Sequence, residues 1–169
     1  MRTDKIYLVG FMGAGKSSLA RELGRRLDWR VEDVDANIEA RERLSVREIF
    51  AQRGESHFRA VERTVVLDLL AARHTVVATG GGTFVDPESR AAMLADGAVF
   101  WLDVPLTTLV GRIPLDGSRP LAPGRQQLES LYAARRPAYA QAHVRLDGTR
   151  ASTGELADII MDWLGRDRP

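Results

Sequence analysis

This sequence predicts a three-layer α/β fold with a central parallel sheet of about five strands flanked by helices. Three observations carry that reading. Short apolar runs of strand type recur with a helix-forming stretch between each and the next. None is joined to its neighbour by a hairpin turn, so the strands run parallel and need crossover helices. The residues with distinctive chemistry fall just after predicted strands, and open parallel sheets gather ligands at those carboxyl ends. With 169 residues, 44% hydrophobic and 28% charged, the chain reads as one domain over 1–169 with a core of its own.

The first strand run, Ile6-Tyr7-Leu8-Val9, feeds a glycine-rich turn. That turn opens into a helical run carrying Leu19, Ala20, Glu22, Leu23 and Leu27. Gly10, Gly15, Lys16 and Ser17 fit the G-x-x-x-x-G-K-[ST] phosphate-binding loop, with strand and helix on the required sides. Glycines let backbone N–H groups curl around a phosphate, and the helix start points its positive dipole end at the anion. In this motif Lys16 reaches the β- and γ-phosphates and the Ser17 hydroxyl ligates Mg²⁺.

A second apolar segment (Trp29, Val31, Val34) carries Asp33 and Asp35 near its end. Two residues apart, both carboxylates face the same way if the segment is extended. Convergent carboxylates call for a cation or hydroxyl donors, although an acidic residue before Ala36 also suits a helix cap. Ala36 to Glu48 reads as helical, with Ser45 and Glu48 as a capping box for a new helix. Gly54 breaks that helix. Another runs from about Glu55 to Arg73 with Phe58, Val61, Val65, Leu69 and Leu70 on one stripe. Thr75 to Thr79 is a strand, followed at once by Gly80-Gly81-Gly82, which removes more side chain than a turn requires. Pro87 suits the first position of a helix reaching about Ala95. Ala98 to Leu102 is the next strand, and Pro105 opens another helix. From Arg112 to Gly124 the chain has no period and reads as a mobile surface segment. A helix resumes near Gln126, with a kink or restart expected at Pro137. His143 to Asp147 is a last short strand, and Thr153 to Leu164 a closing amphipathic helix.

Net charge is +1, so no electrostatic case for nucleic-acid binding exists. Among the 24 basic residues only Lys5 and Lys16 are lysines, and a mobile point charge at Lys16 is what a phosphate loop needs. The chain has no cysteine, which excludes disulfides and thiolate metal sites. No apolar run approaches a membrane span, and Met1 to Lys5 does not read as a signal peptide, so a cytoplasmic location is expected. The three histidines have neither metal-ligand spacing nor a nucleophile nearby.

Six segments taken together, in order and over nearly the whole chain, resemble shikimate kinase. They are Gly10 to Ser18, Asp33 to Glu39, Gly54-Glu55-x-x-Phe58-Arg59-x-x-Glu62, the triple glycine, Arg119-Pro120-Leu121, and Arg135-x-Pro137-x-Tyr139. The resemblance implies a P-loop kinase fold with a mobile lid at about 112–124 and a substrate-binding helical region at about 35–62. It implies transfer of the γ-phosphoryl of ATP to the 3-hydroxyl of shikimate, within aromatic amino-acid biosynthesis, by a monomer. ATP would lie against Gly13, Ala14, Gly15, Lys16, Ser17 and Ser18, with Arg112 on adenine and Arg119 in the lid. Catalysis would fall to Lys16, Asp35 and Arg119, and Mg²⁺ to Ser17 and, through water, Asp33. Asp35, Arg59, Arg135, Gly80, Gly81 and Gly82 would hold the substrate.

The resemblance agrees with the bottom-up chemistry. A small hydroxy acid needs arginines for its carboxylate, where bidentate pairing fixes orientation, and a carboxylate for its hydroxyls. Arg59 could instead pair with Glu55 one helical turn away, and either Arg135 or Arg136 is expected to be solvated. The segment 119–122 carries one leucine where the family usually has two. A kinase of the same layout acting on another hydroxy acid such as gluconate, or a ligand-sensing module without turnover, remains the alternative.

Overall fold

The computed structural model describes residues 4–113 and 124–166. Arg119 and most of the expected lid lie outside these residues. The elements run β1 (Lys5–Val9), α1 (Lys16–Leu27), β2 (Arg30–Asp33), α2 (Val34–Glu42), α3 (Val46–Leu69) and β3 (Thr75–Ala78). They continue with α4 (Pro87–Asp96), β4 (Ala98–Asp103), α5 (Leu106–Val110), α6 (Arg125–Tyr139), β5 (Val144–Asp147) and α7 (Thr153–Arg166). The five strands form one sheet in the order β2-β3-β1-β4-β5, every pair parallel.

The continuous apolar runs of β1, β3 and β4 are buried along their whole length, whereas β2 and β5 are edge strands with exposed positions. That is the pattern of a sheet covered on both faces. Right-handed crossovers put α1 on the face opposite the connections from β2 to β3 and from β3 to β4. Accordingly α1 packs with α7, and α3 with α4.

The local signals that hold do so for the reasons their chemistry suggests. Ser45 accepts from the Glu48 backbone N–H while the Glu48 carboxylate accepts from the Ser45 N–H, a complete capping box. Pro87 opens α4 behind an Asp86 cap. Two details differ from expectation and one agrees. The helix expected over Ala36 to Glu48 runs instead from Val34 to Glu42, because Asp33 caps its start and Arg43 takes a left-handed conformation at its end. Gly54 does break the helix as expected: at φ 82° and ψ 170° it leaves helical geometry and divides α3 into two helices that meet at a kink. Pro137 neither ends nor restarts α6, which continues to Tyr139. The proline costs α6 one N–H bond and crowds the preceding turn, but only two residues of the helix follow it.

The sheet's amino edge is held by a buried ionic cluster. Lys5, fully buried, donates to the Leu69 and Leu70 carbonyls at 2.6 and 3.0 Å, closing the end of α3. It also pairs with Asp96 at 2.9 Å, which accepts from Tyr7 and Arg73, each at 2.6 Å. Burial alone would raise the Asp96 carboxyl, but the hydrogen bonds from Tyr7, Arg73 and Lys5 hold its pKa below the usual carboxylate range. A carboxyl lowered by folding adds stability above its unfolded pKa, about 3.9, and loses it as pH falls through the folded value. Asp96→Asn is therefore expected to lower the melting temperature at neutral pH and to flatten the decline in stability below about pH 4. Thermal melts across that range check both.

Candidate active site

Sheet order decides what meets what. β2, β3 and β1 are consecutive neighbours, so the segments after Asp33, Ala78 and Val9 lie side by side along one carboxyl rim. Thr79 ties two of them together: its N–H and its hydroxyl both donate to the Leu8 carbonyl, at 3.1 and 3.0 Å.

The phosphate loop follows β1. Gly15 stands at the N-cap of α1 with φ 99°, a left-handed conformation that favours glycine. No side chain caps this helix and no acidic residue occupies its first turn, so its N–H groups and dipole face outward toward an anion. Lys16 is buried, its ammonium donating to the Gly10 and Phe11 carbonyls at 2.7 and 2.8 Å. The Ser17 hydroxyl donates to Asp33 at 2.7 Å. Asp33 also accepts from the Ala36 N–H at 3.2 Å, so it is both the cap of α2 and the partner of Ser17.

Asp33 and Asp35 do converge, but not by strand alternation. β2 ends at Asp33 and α2 begins at Val34, which places Asp35 in the first turn of a helix. A first cleft is lined by Gly13, Gly15, Lys16, Ser17 and Ser18 from the loop, with Asp33, Asp35, Thr79, Gly80, Gly81, Met12 and Arg112. Exposed Arg112 stands at its edge, and the Ser18 hydroxyl accepts from Arg21 at 3.3 Å. Ala14 is buried in the loop and does not line the cleft.

A second cleft adjoins the first. Arg59, Glu62, Arg135 and Gly82 line it, with Val46, Phe50 and Phe58 as apolar wall. Met12, Asp35, Gly80 and Gly81 line both clefts. The triple glycine now has a geometric reason. A Cβ on Gly80 would lie 2.8 Å from an Asp35 carboxylate oxygen, on Gly81 2.8 Å from an Arg135 nitrogen, and on Gly82 2.4 Å from an Arg59 nitrogen. Each missing side chain is the space taken by one of the three charged groups, and real Cβ atoms do not approach so closely.

The two arginines are held differently. Arg59 donates to Glu62 at 2.6 Å and has a looser contact with Glu55 at 3.5 Å, so the helical pairing with Glu55 exists in a side chain that also lines the cleft. Arg135 is 5% exposed and stands over the Phe11 ring. Burial lowers its pKa from the ordinary arginine value; Tyr139 works against that shift, while neighbouring Arg59 adds to it. Two cations that repel across a cleft welcome an anion between them. Arg136 points elsewhere. It pairs with Asp103 at 2.7 Å and lies over Trp101 while its side chain stays 36% exposed, so of the two it is the solvated arginine.

Three contributors went unassigned in the sequence. Glu62 holds Arg59, Thr83 donates to Glu62 at 2.6 Å, and the Tyr139 hydroxyl donates to the Gly81 carbonyl. Burial raises the Tyr139 phenol to about 12, so it stays protonated and a donor. Glu62 and Tyr139 stand within the family pattern quoted above, but nothing in a linear pattern says which group each one touches. The histidines are structural: His57 bridges to Glu42, His143 accepts from the Val99 N–H, and His74 packs edge-on against Trp29. Among the described residues no cluster of three potential metal ligands occurs and no helix is long and apolar enough to cross a membrane.

Comparison with known proteins agrees with this geometry. The sequence model of the shikimate kinase family matches residues 12–165. The shikimate kinase of Persephonella marina is 39% identical over 157 residues, covering 92% of this chain and 96% of the relative. That of Thermosynechococcus vestitus is 44% identical over 163 residues, covering 94% and 88%. The solved shikimate kinase from Acinetobacter baumannii, in complex with shikimate, superposes with a TM-score of 0.93 at 31% identity, covering 98% of this chain and 95% of that one.

Proposed function

Because this chain belongs to the shikimate kinase family, we propose that it transfers the γ-phosphoryl group of ATP to the 3-hydroxyl of shikimate. The observation that carries this reading is the shared wall between the two clefts. Asp35, Gly80 and Gly81 face the phosphate loop on one side and the paired arginines on the other.

On this reading the phosphates of ATP lie along Gly13, Gly15, Lys16, Ser17 and Ser18. The Lys16 ammonium exchanges its two loop carbonyls for phosphate oxygens. Arg59 and Arg135 grip the carboxylate of the acid, and the triple glycine brings backbone against it. Asp35 accepts a hydrogen bond from the attacking hydroxyl and orients it in line with the γ-phosphorus. Phosphoryl transfer asks mainly for such positioning and charge stabilisation. Arg112 flanks the base, and Arg119 is assigned to the phosphates on the family pattern alone.

Ser17 and Asp33 fit magnesium. They are adjacent hard-oxygen donors at the phosphate cleft, and Mg²⁺ keeps several waters and binds through one or two protein groups plus phosphates. When bound there it neutralises charge on the phosphate oxygens. The enzyme would work as a cytoplasmic monomer in aromatic amino-acid biosynthesis.

The test is ADP release in a coupled assay with Mg·ATP and a panel of shikimate, quinate and gluconate. Shikimate is expected to be turned over with kcat/KM at least about tenfold above the others, the scale of one net hydrogen bond. Preferred turnover of gluconate, or none on any acid, would overturn the proposal.

A further inference from the structure

We infer that Thr83 is a positioning residue for acid recognition, its hydroxyl occupying one oxygen of buried Glu62 so that the other alone holds Arg59 beside the substrate. This rests on the reading of Arg59 as a carboxylate ligand. Thr83 is fully buried and Glu62 is 2% exposed. The Thr83 hydroxyl donates to Glu62 Oε1 at 2.6 Å, and Arg59 Nη1 donates to Glu62 Oε2 at 2.6 Å. A carboxylate left to itself beside a guanidinium tends to take it with both oxygens. With Oε1 engaged by Thr83, Glu62 meets Arg59 through one oxygen at Nη1; Nε faces Glu55 at 3.5 Å, and the Nη2 side is left for a second carboxylate.

Place adds to the argument. A Cβ on Gly80 would lie 3.1 Å from the Thr83 hydroxyl, 3.2 Å from Glu62 Oε1 and 2.8 Å from Asp35 Oδ1. The hydroxyl therefore sits behind Gly80, one of the two glycines that both clefts share. The Thr83 N–H also donates to the Gly80 carbonyl at 3.3 Å, which keeps its side chain aimed at Glu62.

Valine has threonine's shape without its donor. Thr83→Val is expected to raise KM for shikimate roughly tenfold by leaving a buried Glu62 oxygen unpaired, with kcat and KM for ATP near wild type. Thr83→Ser keeps the donor and should restore KM for the acid. A packing role would give the reverse order, since serine loses a methyl group that valine retains. Should the valine variant fail to fold, Thr83→Ala carries the same expectation. Wild-type enzyme active on shikimate with unchanged KM in the valine variant, or serine worse than valine, would overturn this inference alone. Wild-type enzyme inert toward shikimate would overturn both it and the reading beneath it.

Discussion

Replacing Asp35 by asparagine is expected to cut turnover by about 10²–10⁴, the range for loss of a positioned acid–base group, while ATP binding stays close to wild type. Asparagine has nearly the same shape and keeps one carbonyl oxygen, so the Gly80 turn packed against Asp35 should survive. What it loses is the negative charge and the ability to accept a proton. Because Asp35 lines both clefts, the defect should appear in the joint reaction and not in nucleotide affinity. Steady-state kinetics beside a calorimetric titration of Mg·ATP separate the two. Near-normal turnover would show that the attacking hydroxyl is held by some other group.

Lys16→Met is expected to lower kcat by about 10²–10³, the cost of deleting one preorganised contact to developing charge, with shikimate binding unaffected. The substituted side chain is nearly as long but uncharged. The ammonium already donates to the Gly10 and Phe11 carbonyls, so the variant also removes a donor from each, although the Phe11 carbonyl keeps the Ala14 N–H at 3.3 Å. A modest drop in melting temperature should accompany the kinetic loss, and a melt beside the kinetics separates loop damage from lost phosphate contact. Unchanged kcat would contradict the assignment of the loop.

Much of this architecture was legible because its signals are local. A strand, a glycine-spaced turn and Lys16-Ser17 are contiguous, so the phosphate loop could be read with its flanking elements. The capping box of Ser45 and Glu48 and the proline start of α4 are local in the same way. Glycine in triplicate announced a close approach, but the approaching groups come from α2, α3 and α6, which no spacing reveals. For the same reason Glu62 could be named within a pattern without its partner Thr83, which lies 21 residues further on. The extended reading of Asp33 and Asp35 failed because Asp33 is itself a helix cap, a role its residue type allows but cannot announce. Pro137 shows the complementary limit: a breaker's effect depends on how near the helix end already is. The Lys5–Asp96 cluster at the amino edge joins residues 91 apart in sequence and could not be foreseen from composition.

The account depends on two clefts meeting at Asp35, and a crystal structure with shikimate and Mg·ADP bound together examines that most directly. The expected result places the acid's carboxylate between Arg59 and Arg135, with one ring hydroxyl within about 2.6–3.2 Å of Asp35 and facing the phosphate loop. Shikimate seated away from Asp35, or with its carboxylate turned from both arginines, would contradict it.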